Sequence, residues 1–214
     1  TVTREHLKDG LAQAVICNSG NANTCNPDGV EKANAMCRAL AEQLHIAEND
    51  VVVASTGVIG MPLPLEPIIN GIPALCNSLG RLPEDGYAAA AAIMTTDTRL
   101  KQIAAETTIS GVKVKIGGMA KGSGMIQPNM ATMLSFITTD AAISTEVLQV
   151  ILKRVADKTF NMISVDGDTS TNDTLCIMAS GLAGNEEITD INGSDCAAFE
   201  ALLEYVCKYL ARKM

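Results

Sequence analysis

Apolar residues fall along this chain in short runs and helical stripes separated by polar, glycine-rich loops. Residues 12–17 are an apolar run rich in β-branched side chains, which predicts a buried strand, and they run into the polar loop 18–24, Asn-Ser-Gly-Asn-Ala-Asn-Thr. A helix should follow. Asp28 with Glu31 three residues later reads as an N-cap pair, and Val30, Ala33, Cys37, Leu40, Ala41 and Leu44 recur on one face that would pack on a sheet. His45 closes that pattern, where a cation suits the helix dipole. Residues 51–55 predict a second buried strand, stopped by Thr56-Gly57. Pro62, Pro64, Pro67 and Pro73 then permit only short or broken helices.

Residues 84–94 are Ala-rich and predict a helix ending at the polar cluster Thr95-Thr-Asp-Thr98. Val112, Val114 and Ile116 alternate with Lys113 and Lys115, the pattern of a strand with one wet face. Residues 133–137 and 175–179 read as buried strands. Between them Ser144 caps a helix that turns Val147, Leu148, Ile151, Leu152 and Val155 inward. A last helix after Ser194 carries Phe199, Leu202, Leu203, Val206 and Leu210 at helical spacing. Elements of both kinds mixed with uneven loops predict an α+β fold, a layered α/β sandwich of mixed sheets with flanking helices, and a single core over residues 1–214.

Composition narrows the function classes. With 47% hydrophobic residues in 214, the chain can bury a sizeable core, and with 3% aromatics and no Trp that core must be built from small and aliphatic side chains packed closely. A net charge of -8 without a basic stripe argues against a nucleic-acid partner. The longest apolar stretches, such as residues 87–94, fall far short of the roughly 20 residues that span a bilayer, so no membrane partner is expected. The seven cysteines are odd in number and include no Cys-x-x-Cys pair, and the two histidines lie far apart in sequence. Reduced, mostly buried thiols, no metal and a cytoplasmic setting are the expectation. The first residues show no signal peptide and no initiator Met, which suggests a processed product or a piece of a longer chain.

Candidate chemistry centres on residues 117–140. Lys121 precedes Gly-Ser-Gly instead of following a glycine loop, and Gln127 stands where a dinucleotide fingerprint needs Gly, so both phosphate-loop readings fail on register. Thr132 follows the small Ala131 and stands before an apolar run. A threonine hydroxyl becomes a good nucleophile when a base takes its proton, and a free α-amine, titrating at about 7.7–8.0, is one such base. That role requires cleavage between Ala131 and Thr132, whereas on spacing alone a threonine at a strand entry is most often structural. Thr56-Gly57 has the form of an oxyanion-binding turn as well as of an ordinary one. Residues 166–173 are dense in oxygen ligands but lack the Gly and Glu of an EF-hand loop and read as a polar turn.

Six motifs in order give a specific signal: Asn18-Ser-Gly-Asn-Ala-Asn23, Ser55-Thr-Gly-Val-Ile-Gly60, Thr95-Thr-Asp-Thr98, Lys121-Gly-Ser-Gly-Met125, Ala131-Thr-Met-Leu134 and residues 164–173. Together they resemble the ornithine acetyltransferase family over essentially the whole chain. The resemblance implies the self-cleaving, DmpA-like type of α/β sandwich and a precursor cut between Ala131 and Thr132. Residues 1–131 would then close an α chain and residues 132–214 open a β chain, the two staying associated in an oligomer of such heterodimers.

It also implies Thr132 as nucleophile, Thr56 and Gly57 as oxyanion hole, and Thr95, Lys121 and Thr132 as substrate-binding positions. The implied reaction moves acetyl from N-acetylornithine to glutamate in arginine biosynthesis, without a cofactor, and some members also take acetyl-CoA as donor. A self-cleaving amidase or aminopeptidase of the same fold, or an incomplete binding fragment, are the alternatives. Family members extend beyond both ends of this sequence, so an internal fragment carrying part of the pocket is expected.

Overall fold

A computed structural model describes residues 1–122, 133–164 and 172–214, and divides the chain into two compact units, Thr1–Thr95 and Thr96–Met214. The first unit contains α1 (Val2–His6), β1 (Ala14–Asn21), α2 (Gly29–Leu44), β2 (Val51–Val58), α3 (Leu65–Asn77) and α4 (Pro83–Ala92). β1 and β2 run parallel, paired from Ala14↔Val51 to Asn21↔Val58, with α2 as the crossover. Ala33, Met36, Cys37, Leu40 and Ala41 of α2 join Ile16, Val51, Leu63 and Ile72 in the core of this unit.

The edge of β2 away from β1 is served by side chains of α1. Thr3 Oγ1 donates to Val53 O at 2.6 Å and accepts from Val53 N at 3.0 Å, and the buried His6 donates from Nδ1 to Val51 O at 2.8 Å. A two-stranded sheet thus has main-chain groups on its outer side satisfied without a third strand.

Several boundaries differ from expectation. β1 continues through Asn21 and β2 through Val58, so the start of the predicted loop 18–24 and the predicted stop at Thr56-Gly57 both lie within strands. Parallel pairing with a neighbour overrides their weak strand propensity. α3 runs unbroken past Pro73. The carbonyl that loses its donor belongs to Ile69, which is 38% exposed and can turn to water, while Pro67 lies in the first turn where no N–H is needed. Val30, placed on the inward face of α2, is exposed. Asp28 occupies the N-cap position, but its carboxylate pairs with Lys32 at 2.8 Å instead of capping. His45 adopts a left-handed C-cap.

The second unit is a four-stranded sheet in the order β3 (Lys101–Ile109), β4 (Val112–Lys121), β5 (Leu134–Thr139), β6 (Thr174–Ala179), covered by α5 (Thr145–Lys158) and α6 (Ser194–Arg212). β3–β4 and β4–β5 are antiparallel, and β5–β6 is parallel across α5. The β3–β4 hairpin turns at Ser110 and Gly111, both at positive φ, as a two-residue turn between right-twisted strands requires. Ser144 caps α5 by accepting from Val147 N at 3.4 Å. α6 comes close to the sheet at Gly118, where a Cβ would lie 3.1 Å from Leu210 Cδ1 and 3.2 Å from Val206 Cγ1. β3 has no counterpart in the sequence reading, and β6, expected to be buried, is half-buried throughout. The α+β class and the mixed sheet agree with expectation.

β5 and β6 are locked where they enter the sheet. Met133 N donates to Asp173 Oδ1 at 2.8 Å, and Thr174 N donates to Met133 O at 3.0 Å. Partial burial pushes the Asp173 carboxyl up to about 6, with the Met133 N–H pulling the other way.

Two outcomes follow from this packing. Gly118→Val forces a branched side chain between β4 and α6 and should lower stability by about 1–3 kcal/mol, read as a drop in urea midpoint. For Asp173, the folded pKa lies above the unfolded one, so the native state binds more protons than the unfolded state across the interval between them. Its stabilising contribution is therefore complete below about pH 4 and lost as pH rises through about 6. Asp173→Asn should remove that dependence. The urea midpoint of wild type relative to the variant should fall between about pH 4.5 and about pH 7.5, and a constant difference would refute it.

Candidate active site

At the carboxyl end of β2, Thr56 and Gly57 stand opposite Ser19 and Gly20 of β1. Gly57 has φ +131°, and a Cβ there would lie 2.3 Å from the carbonyl carbon and oxygen of Gly20 and 2.7 Å from Asn21 N. No other residue fits without moving one strand. Thr56 is fully buried, and its Oγ1 has no hydrogen-bond partner among the described residues. A buried hydroxyl with donor and acceptor capacity unspent costs stability, so its presence at the end of a parallel strand pair, where ligands commonly bind, reads as functional.

The polar motif beside it stiffens this end of the sheet. Asn18 Nδ2 donates to Asn21 O at 2.7 Å, Asn21 Nδ2 to Ala22 O at 3.0 Å, and Asn26 Nδ2 to Met61 O at 3.0 Å. Ser19 Oγ donates to Ile93 O at 2.5 Å, fastening β1 to the residue after α4. The amides of residues 18–26 thus hold main chain around Thr56 and Gly57. Thr95, another predicted substrate-binding residue, is exposed at the end of this unit.

Lys121 belongs to the second unit. It is the last residue of β4, paired with Leu134 of β5, and only 3% exposed. Beside it lies a buried ion pair that sequence reasoning did not single out. Lys101 Nζ meets Asp97 Oδ1 at 2.5 Å, with 4% and 1% of the two side chains exposed, and the same oxygen accepts from Gly122 N at 2.9 Å. The i, i+4 spacing of Asp97 and Lys101 at the mouth of a strand was the available signal. In the sequence Asp173 reads only as part of a polar turn. Ala131 and Thr132, and most of the polar turn that begins at Asp166, lie outside the described residues.

Burial disfavours the thiolate form of several cysteines. Of the seven cysteines three are buried, three half-buried and Cys25 exposed. Burial pushes Cys37 and Cys207 up to about 12 and Cys176 to about 11, which keeps those thiols protonated. Among the described residues no three His, Cys, Asp or Glu side chains gather as metal ligands, and no helix is long and apolar enough to cross a membrane.

Known proteins are similar to this chain in sequence and in fold. The arginine biosynthesis bifunctional protein ArgJ of Caldanaerobacter subterraneus subsp. tengcongensis is 50% identical over 209 residues, covering 97% of this chain and 51% of that protein. The glutamate N-acetyltransferase of Methanocaldococcus jannaschii is 50% identical over 218 positions, covering 99% and 52%. The chain therefore spans about half the length of the curated relatives it matches. Two crystal structures share its fold. ArgJ of Bacillus halodurans has a TM-score of 0.56 at 46% identity, covering 61% of this chain and 68% of that one. The ornithine acetyltransferase of Mycobacterium tuberculosis, in complex with ornithine, has 0.51 at 33% identity, covering 60% and 68%. Residues 1–214 match the ArgJ family from end to end, and the chain belongs to that family.

Proposed function

We propose that this chain carries the nucleophile and oxyanion-binding part of an acetyltransferase that passes acetyl from N-acetylornithine to glutamate. The observation that carries the reading is the fully buried Thr56 hydroxyl beside a glycine that tolerates no side chain. Membership of a family whose relatives include a glutamate N-acetyltransferase and an ornithine-bound acetyltransferase supports the substrate class.

In this reading self-cleavage between Ala131 and Thr132 frees the Thr132 α-amine, which takes the proton from the Thr132 hydroxyl as the oxygen attacks the acetyl carbonyl. The tetrahedral oxyanion takes hydrogen bonds from the Thr56 hydroxyl and the Gly57 main chain. Its collapse breaks the C–N bond, the amine returns the proton to the leaving nitrogen, and ornithine departs from an acetyl ester on Thr132. The glutamate amine then attacks the ester, and N-acetylglutamate leaves with the Thr132 hydroxyl restored. Lys121 supplies a cation for the α-carboxylate common to both amino acids, and Thr95 a hydroxyl. An acetyl-CoA donor would enter by the same acetyl ester. The α and β chains remain partners after cleavage, and copies of that heterodimer assemble.

Three experiments on the full-length protein test this. Thr132→Ala should leave one intact chain by mass spectrometry and abolish acetyl transfer; transfer retained in the uncleaved variant would sink the mechanism. In wild type, acetylglutamate should form in preference to free acetate, since dominant acetate release would mark an amidase. Thr56→Val should lower kcat by about 10²–10³ through loss of one oxyanion donor, while leaving the urea midpoint unchanged or higher because the hydroxyl has no partner to lose among the described residues. An unchanged kcat would remove Thr56 from the oxyanion site.

A further inference from the structure

We infer that Asp97 is a positioning residue for Lys121, its carboxylate fixing the peptide group through which Lys121 leaves β4. The inference rests on the substrate-binding role proposed for Lys121. Asp97 Oδ1 accepts from Gly122 N at 2.9 Å, and that N–H belongs to the amide joining Lys121 to Gly122. On its other side Lys121 is held by pairing with Leu134. The last residue of β4 is therefore gripped from both sides, by a neighbouring strand and by a buried anion.

Lys101 makes that anion tenable. A carboxylate with 1% of its side chain exposed would be expensive without a counter-charge, and the Lys101 ammonium, itself 4% exposed, supplies one at 2.5 Å. Register brings the cation to this place: Lys101 is the first residue of β3 and pairs with Ala120, immediately before Lys121. Lys101 Nζ also approaches Arg99 O at 3.4 Å, which ties the stretch between the two partners to the same point. A buried ion pair adds little net stability compared with an apolar pair of similar size. What an apolar pair cannot supply is an acceptor for Gly122 N–H.

The test separates those two contributions in the full-length enzyme. Asp97→Asn with Lys101→Met is neutral and keeps an oxygen facing Gly122, whereas Asp97→Leu with Lys101→Met is equally neutral and removes it. The Leu/Met variant should raise KM for N-acetylornithine and glutamate by about tenfold with kcat changed less than about threefold, and the Asn/Met variant should keep both near wild type. Asp97→Ala with Lys101→Met, which is neutral and also removes the acceptor, should behave like the Leu/Met pair and stands in if that variant does not fold. An unchanged KM in the Leu/Met variant, or an equal rise in all three, overturns the inference. Lys121→Met run in parallel should raise the same KM values; if it does not, the substrate role of Lys121 fails and the inference with it, whatever the Asp97 variants do.

Discussion

Close approach of main chain to main chain, with no side chain between, is the constraint on which the first unit depends. β1 and β2 meet at Gly20 and Gly57 so tightly that a single methyl would overlap a carbonyl. That contact carries β2 on to Val58 and sets Thr56 one residue before the glycine, buried and facing no partner among the described residues. A chain poor in aromatic residues has few large side chains to hold its layers apart. In the second unit a glycine serves a different contact, since at Gly118 of β4 the missing side chain makes room for the Leu210 and Val206 side chains of α6.

Such proximity leaves main-chain groups that need partners, and here side chains provide them. Thr3 and His6 serve β2, the asparagines of residues 18–26 serve the loop around it, and carboxylates serve the second unit. Asp97 accepts the N–H of Gly122 and Asp173 that of Met133. The two acids differ in environment. Asp97 has an ammonium in contact, whereas burial pushes the Asp173 carboxyl up to about 6 against the pull of the Met133 amide.

Periodic elements were legible because their burial is one-sided. α2, α5 and α6 turn inward the residues their spacing selects, with Val30 the exception, and the charged face of β4 reads directly from Lys113 and Lys115. β3 was not legible: Ala104, Ala105, Thr107 and Thr108 have too little contrast to announce a strand, and it owes its place to pairing with β4. Residues 18–21 and Thr56-Gly57 read in sequence as loop and stop for a similar reason, since pairing across a distance in sequence compensates for poor propensity. Motif order indicated the family, but no single motif indicated what holds Lys121 in place. The partners of that lysine's main chain come from residue 97 on one side and residue 134 on the other, and only the fold brings them to it.

The β4–β5 pairing also bears on what a cut at Ala131-Thr132 would do. The two strands pair from Lys121↔Leu134 to Ile116↔Thr139, so such a cut would assign β3 and β4 to one chain and β5 and β6 to the other within one sheet. Hydrogen bonds across that seam do not depend on covalent continuity, and the packing of α6 against β3 and β4 spans the same boundary. Anchors stand on each side of residues 131 and 132 in the sequence, Asp97 on Gly122 before them and Asp173 on Met133 after them. Cleavage would add conformational freedom to the new ends, which is an entropic gain for disorder. Asp173, by holding the Met133 N–H, would oppose that freedom close to the new end of the second chain.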